Sequence, residues 1–160
     1  MPPTLHVQRL EKVYDGGSAE LAVRAVDGIS FTVQRGESTS IIGPSGCGKS
    51  TLLNILGCLD RPTAGRYLLD GRDTSTMDDD ELAALRNRHI GFVFQSFNLL
   101  PRMTAEENVE LPLLYGSFPH SKQLAREALG RVGLAERAHH LPSEMSGGQK
   151  QRVAIARAIL

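Results

Sequence analysis

The sequence predicts an α/β domain with strands in its first half and helices in its second. Alternating apolar and polar residues, typical of half-buried strands, mark 5–10 and 29–34. Short apolar segments predict further strands at 38–42, 66–69 and 90–94, the last of them buried. Helical spacing and stop signals predict helices over residues 50–59, 77–88, 105–115 (interrupted by Pro112), 121–132 and 147–160. A glycine-rich turn joins the strand at 38–42 to the first helix.

Composition indicates a globular domain without a nucleic-acid partner. The chain has 160 residues, 41% hydrophobic and 22% charged, with a formal net charge of zero. A duplex-binding domain carries a basic excess that displaces counterions, and this chain has none. No apolar run reaches the roughly 18 residues that span a bilayer, and the first residues lack a signal-peptide pattern. We therefore expect a cytoplasmic protein whose membrane role, if any, comes through a partner.

The glycine-rich turn at residues 43–50 fits the phosphate-loop pattern G-x-x-x-x-G-K-[ST]. Glycines let the backbone curl so that N–H groups point at phosphate oxygens, and the following helix directs its positive end at the same anion. In such a loop Lys49 reaches the β- and γ-phosphates, while the Ser50 hydroxyl is a Mg²⁺ ligand. The alternative is a glycine-rich turn before a core helix, but chance produces this spacing in fewer than about one chain in a hundred of this length.

A second glycine-containing motif lies at residues 145–149. There Ser146 is a good helix N-cap, and two adjacent glycines leave the first N–H groups of the helix uncovered. Met145, Ser146, Gly147, Gly148 and Gln149 resemble the signature motif of ATP-binding-cassette (ABC) proteins, with Met where the commonest form has Leu. The resemblance implies a P-loop NTPase of the ABC cassette type, with a RecA-like core, an antiparallel β subdomain and a helical subdomain. It also implies a head-to-tail dimer with a second nucleotide-binding subunit, each ATP lying between the two motifs of different subunits.

The resemblance assigns roles to further positions. Tyr14 corresponds to the aromatic residue that stacks on adenine, although a tyrosine at a strand end is more often a packing residue. Gln95 corresponds to the glutamine that contacts Mg²⁺ and the attacking water, and Lys49 and Gln95 are the catalytic candidates in this chain. The expected ATP- and Mg²⁺-binding set is Tyr14, Gly43, Pro44, Ser45, Gly46, Cys47, Gly48, Lys49, Ser50, Thr51, Gln95, Ser146, Gly147, Gly148 and Gln149, with Ser50 and Gln95 as metal ligands.

The resemblance also implies a single, incomplete ABC nucleotide-binding domain. Its expected parts are a β subdomain with the phosphate-loop core at 1–95, a helical subdomain at 96–145 and the signature helix at 146–160. In the family, a later strand carries a Mg²⁺-binding Asp and the Glu that activates water, and a switch His follows. No residue of these 160 matches those positions, so we expect a truncated cassette with little ATPase activity by itself.

Residues 91–104 and 107–115 are similar to the ATPases of macrolide export and lipoprotein release, a pattern that antimicrobial-peptide exporters share. This branch implies an ATPase that drives a permease from the cytoplasmic face of the inner membrane, contacted through the region from Phe97 to Tyr115. Apolar residues there, including Leu100 and Met103, are candidates for a groove that holds a permease helix, although some belong to the core. A non-transport ABC ATPase and a remnant that binds without turnover are the alternative functions.

Overall fold

A computed structural model describes residues 3–15, 22–116 and 118–160. The chain forms two compact units, Met1–Ala83 and Ala84–Leu160. The first unit contains the sheet and the phosphate loop, and the second contains most of the helices. The functional division expected at residues 95 and 145 is a different partition, and it stays a prediction.

The first unit contains a four-stranded antiparallel sheet of order β2-β1-β3-β4. Its strands are β1 (Leu5–Tyr14), β2 (Val23–Val33), β3 (Ala64–Leu69) and β4 (Arg72–Asp73). Helix α1 (Lys49–Leu56) lies between β2 and β3 in the sequence. The core of this unit collects apolar side chains of the strands and of α1: Val7, Leu10, Val26, Leu52, Ile55, Tyr67 and Leu69.

The first two strands are longer than the alternation predicts. Their pairing runs from Leu5 opposite Val33 to Tyr14 opposite Val23, with register shifts on the way. Each shift adds a residue to one strand and reverses which face the following side chains occupy. The period-two pattern therefore breaks inside each continuous strand, so the alternation alone ends β1 too early and begins β2 too late.

The prediction of strands at 38–42 and 90–94 is wrong. Neither segment pairs with a strand among the residues that the structure describes. The burial predicted for residues 90–94 also fails, because Val93 is 45% exposed. In the segment 38–42, Ile42 is 89% exposed. An apolar segment becomes a strand only when a neighbour satisfies its N–H and C=O groups. Within the second segment, the rings of Phe92 and Phe94 stack at a centroid distance of 5.4 Å.

Helix α2 (Asp79–His89) spans the boundary between the two units, and the second unit continues with α3 (Ala105–Leu114), α4 (Ser121–Arg131) and α5 (Gly147–Ala158). Its core packs side chains from the last three helices and the connections between them, including Val109, Ala125, Leu129, Leu134, Met145 and Val153. Pro112 lies inside α3, so the interruption predicted there is absent. Among the described residues, no helix is long and apolar enough to cross a membrane.

Candidate nucleotide-binding site

The phosphate loop turns sharply from the unpaired segment before it into α1. Gly46 and Gly48 have φ angles of 80° and 86°, which L-residues with side chains rarely adopt. Gly48 also packs against strand β2, because a Cβ on it would lie 1.9 Å from the carbonyl oxygen of Ala25. The second glycine of the motif is thus required both by its backbone angle and by its neighbour.

The side chain of Lys49 folds back over the loop. Its Nζ donates to the carbonyl oxygens of Gly43 at 2.9 Å and Pro44 at 2.6 Å, and lies 3.6 Å from the Sγ of Cys47. These bonds hold the ammonium against the curled backbone of the loop. The phosphate-binding role of Lys49 stays a prediction.

The start of α1 is an uncompensated positive end. It has no side-chain cap and no acidic residue in its first turn, so the first N–H groups of the helix remain available to an anion. Ser50 and Thr51 belong to this first turn, and Ser50 is exposed. Mg²⁺ takes one or two protein oxygen ligands together with phosphates, so the Ser50 hydroxyl fits the role predicted for it.

Tyr14 lies close to this loop through the pairing of β1 with β2. It stands opposite Val23, and Ala25, which touches Gly48, is two residues further along β2. A cross-strand spacing of about 5 Å, a rise of about 3.3 Å per residue and the Ala25 contact put the Cα atoms of Tyr14 and Gly48 within roughly 14 Å. The Tyr14 side chain is 43% exposed, so an aromatic surface is open at a distance that one nucleotide can bridge.

In the second unit, the signature residues form the capped start of α5. The Ser146 hydroxyl accepts from the Gln149 N–H at 3.3 Å, and the Gln149 side chain accepts from the Ser146 N–H at 2.8 Å. Met145 is 6% exposed and belongs to the helical core, so it anchors the motif rather than contacting a ligand. A Cβ on Gly147 or Gly148 would meet nothing within 4 Å.

Gln95 is exposed in a turn after the Phe92–Phe94 segment. Phe97 and Asn98, which follow this turn, have φ angles of 63° and 46°. The guanidinium of Arg157, near the end of α5, donates to the carbonyl oxygens of Phe97 at 2.9 Å and Asn98 at 2.7 Å. Burial lowers the pKa of Arg157 from its ordinary value, yet the group stays charged at neutral pH.

The structure places the predicted residues in two groups, and it adds residues that the sequence does not single out. The phosphate loop and Tyr14 belong to the first unit, and Gln95 and the signature belong to the second. Lys12 and Asp60 contact Tyr14, and Arg157 holds the turn that follows Gln95. Of these three residues, only Lys12 could have been found from the sequence, because residues two positions apart on a strand share a face and Lys12 precedes Tyr14 by two. Asp60 and Arg157 are brought in by tertiary contacts.

Comparison with known proteins identifies the family to which both motifs belong. A family model described as ABC transporter matches residues 26–160. The chain belongs to the ABC transporter family. The ABC transporter ATP-binding domain therefore accounts for the phosphate loop and the signature in one chain.

Similar relatives include ABC ATP-binding proteins and longer permease fusions. An uncharacterized ABC transporter ATP-binding protein of Thermotoga maritima is 60% identical over 150 residues, which cover 92% of this chain and 63% of the relative. The uncharacterized ATP-binding protein YknY of Bacillus subtilis is 53% identical over 158 residues, covering 98% and 68%. The macrolide export ATP-binding/permease protein MacB of Brucella melitensis is 51% identical over 160 residues, covering 99% and 24%. The chain thus spans about two thirds of the first two relatives and about a quarter of the third.

The ABC cassette fold is confirmed by solved structures. The dimeric post-hydrolysis structure of the ATP-binding cassette MJ0796, bound to ADP and Pi, matches with a TM-score of 0.85 and 45% identity. The match covers 97% of this chain and 68% of that one. A second dimeric structure of MJ0796, described as a bacterial ABC transporter cassette, matches with a TM-score of 0.84.

Proposed function

We propose that this chain is the ATP-binding part of an ABC export complex that couples ATP binding and hydrolysis to work across the inner membrane. The observation that carries the proposal is the phosphate loop, in which the Lys49 ammonium is bonded to the carbonyls of Gly43 and Pro44. Bound ATP would place its phosphates against this ammonium and the first N–H groups of α1, with Mg²⁺ on the Ser50 hydroxyl. When bound, Mg²⁺ would neutralise phosphate charge. The family resemblance assigns to Gln95 the role of orienting water.

The signature glycines support a head-to-tail dimer. A glycine in a helix is about 1 kcal/mol less favourable than alanine, and neither Gly147 nor Gly148 has a close neighbour that excludes a Cβ. The fold of the second unit therefore gives no reason for two glycines at this helix start. An approaching phosphate, held by the loop of a second copy, gives one, because it would need the bare N–H groups.

The connection before α3 supports a permease contact. The Leu100 side chain is 43% exposed, while the Leu100 backbone is held by the buried side chain of Asn108 through bonds of 2.7 and 3.1 Å. Leu114 and Tyr115, at the other end of the helix, are 59% and 82% exposed. Exposed apolar side chains on a fixed backbone suit a protein contact. We assign this surface to a permease helix, which would hold the chain at the cytoplasmic face of the membrane.

The names of the MacB relatives favour macrolide export, and the resemblance of residues 91–104 and 107–115 adds lipoproteins and antimicrobial peptides as proposed substrates. No carboxylate in the sequence matches the water-activating Glu of the family, and general-base assistance contributes about 10²–10⁴ in rate. We therefore expect these 160 residues by themselves to bind ATP with little turnover. Steady-state hydrolysis at the rate of a full-length relative would contradict this part of the proposal.

The decisive experiment measures ATP binding by calorimetry with Mg²⁺ present. Wild type should bind ATP saturably, and Lys49→Ala should lose at least about tenfold in affinity, since a charge-assisted bond contributes more than 1.4 kcal/mol. Lys122→Ala, which removes an exposed lysine of α4, is the matched control and should bind normally. Absence of saturable binding by wild type, or equal binding by the Lys49 variant, would refute the proposal.

Two further arms test the partners. Gly148→Ala should keep ATP binding but reduce ATP-dependent dimerisation in analytical ultracentrifugation, because the added methyl covers the helix start. Leu100→Asp and Met103→Asp should lower co-purification with the permease while sparing ATP binding. If dimerisation is unchanged in the first variant, the head-to-tail arrangement is wrong. If both charged variants still co-purify at normal yield, the permease surface lies elsewhere.

A further inference from the structure

Tyr14 is held by a small polar cluster that the phosphate-loop chemistry does not use. Its hydroxyl donates to one carboxylate oxygen of Asp60 at 2.9 Å. The other carboxylate oxygen accepts from the Lys12 ammonium at 2.6 Å and from the Arg61 N–H at 2.7 Å. The same ammonium lies 4.9 Å from the centroid of the Tyr14 ring. The ring is thus fixed at its tip by a hydrogen bond and on one face by a cation.

Asp60 belongs to the turn that follows α1, the helix that starts at the phosphate loop. The turn is tied down on both sides: Asp60 N–H donates to the carbonyl of Asn54 at 3.3 Å. Thr63 accepts from the Val13 N–H at 3.0 Å through its hydroxyl. One helix, eight residues long, therefore carries the phosphate loop at its start and the anchor of the Tyr14 ring just beyond its end.

We propose that Asp60 and Lys12 are positioning residues for nucleotide binding, which hold the Tyr14 ring as a preformed platform for the base. The inference rests on the proposed ATP binding and deepens it. Asp60 and Lys12 act on the nucleotide only through the Tyr14 ring, because the Tyr14 hydroxyl already donates its hydrogen bond to Asp60. Stacking on an aromatic ring contributes to base binding, and a ring that is already fixed loses less rotational freedom when the base arrives.

The charge state of the cluster suits this role at neutral pH. Burial acts to raise the pKa of Asp60, but hydrogen bonds from Lys12 and Tyr14 outweigh it and hold the pKa below its ordinary value. The Lys12 and Asp60 side chains are 14% and 28% exposed, so water screens this pair less than the exposed ion pairs of the same unit. The carboxylate is therefore charged and bound to Tyr14 under binding conditions.

The test separates base binding from phosphate binding by using two ligands, ATP and inorganic tripolyphosphate. Tyr14→Phe keeps the ring but removes its bond to Asp60, and Asp60→Asn removes the charge that holds Lys12. Both should weaken ATP binding about three- to tenfold and leave tripolyphosphate binding unchanged. Tyr14→Ala, which removes the ring, should weaken ATP binding about ten- to hundredfold. Asp79→Asn is the matched control, since it removes an aspartate that is 96% exposed and pairs with Arg61.

Each outcome decides the inference. It is overturned if Tyr14→Phe and Asp60→Asn bind ATP within twofold of wild type, or if Tyr14→Ala does. It is also overturned if tripolyphosphate affinity falls in parallel with ATP affinity, because the change would then have disturbed the whole unit. Should Asp60→Asn fail to fold, Tyr14→Phe alone decides, since it leaves the Lys12–Asp60 pair in place. If the wild-type chain binds neither ATP nor tripolyphosphate, the proposed nucleotide site itself is refuted.

Discussion

Replacing Gly48 by alanine tests whether the phosphate loop is built by packing as well as by backbone freedom. The new Cβ would lie 1.9 Å from the Ala25 carbonyl oxygen and 3.1 Å from its carbon. Both atoms belong to the backbone of the paired strand β2, so neither can swing aside as a flexible side chain would. Either the loop or the strand must move.

Two contributions set how much Gly48→Ala lowers the free energy of unfolding. A left-handed φ of 86° in a residue with a side chain costs about 1–2 kcal/mol. Forcing a methyl into an occupied position costs about another 1–3 kcal/mol. The sum, about 2–5 kcal/mol, corresponds to a fall in Tm of roughly 5–15 °C for a chain of this size.

Gly46→Ala is the matched control, because Gly46 has nearly the same φ angle, 80°, but nothing within 4 Å of an added Cβ. It should show only the backbone contribution of about 1–2 kcal/mol. Urea unfolding can be followed by tyrosine fluorescence, since the chain has no Trp and Tyr67 is 1% exposed in the first unit. Equal destabilisation by the two variants would show that the Ala25 contact carries no energy, and the reasoning would fail.

Three further predictions concern stability. Arg157→Met should destabilise the second unit by about 1.5–3 kcal/mol and speed hydrogen exchange in the segment after Gln95. Arg152→Met, which loses one exposed bond, should destabilise it less. The opposite order would show that the bonds from Arg157 to Phe97 and Asn98 do not hold this segment. Asn108→Ala should cost about 2–4 kcal/mol in thermal unfolding, because Asn108 is 0% exposed and bonds the backbone four times; a wild-type Tm would disprove it. Bonds from Ser75, and then the charge of Arg66, hold the pKa of Asp73 below its ordinary value despite partial burial. The Asp73 carboxylate therefore stabilises the fold fully well above pH 4, and this stabilisation is lost as the pH falls through the folded pKa. The stability of Asp73→Asn should depend less on pH in the acid range than that of wild type. An unchanged acid profile would contradict this prediction.

Local chemistry explains what could be predicted from the sequence. The glycines and Lys49 of the phosphate loop lie within nine consecutive residues, so their spacing in the sequence is enough to predict how they are arranged. The start of α5 is equally local, since Ser146 and Gln149 cap each other across one turn. Helices α3, α4 and α5 begin where the sequence predicts and end within about two residues of the predicted bounds.

Strand pairing could not be predicted in the same way. The alternation at 5–10 and 29–34 predicted strands that exist, but the register shifts that lengthen them depend on the partner strand. The apolar segments at 38–42 and 90–94 look like strands by composition, yet no neighbour pairs with them among residues 3–15, 22–116 and 118–160. Backbone hydrogen bonding between distant segments decides these cases.

The sequence by itself determined the family, the phosphate loop and the signature, and it predicts which of their residues contact ATP. Only the tertiary structure decided what holds those residues in place. Tyr14 meets Asp60 across 46 positions of the sequence, and Arg157 meets Phe97 across 60. Such bonds form between residues with no shared local pattern, because folding rather than spacing sets their distance. A motif therefore predicts which groups act, while the fold alone shows what positions them.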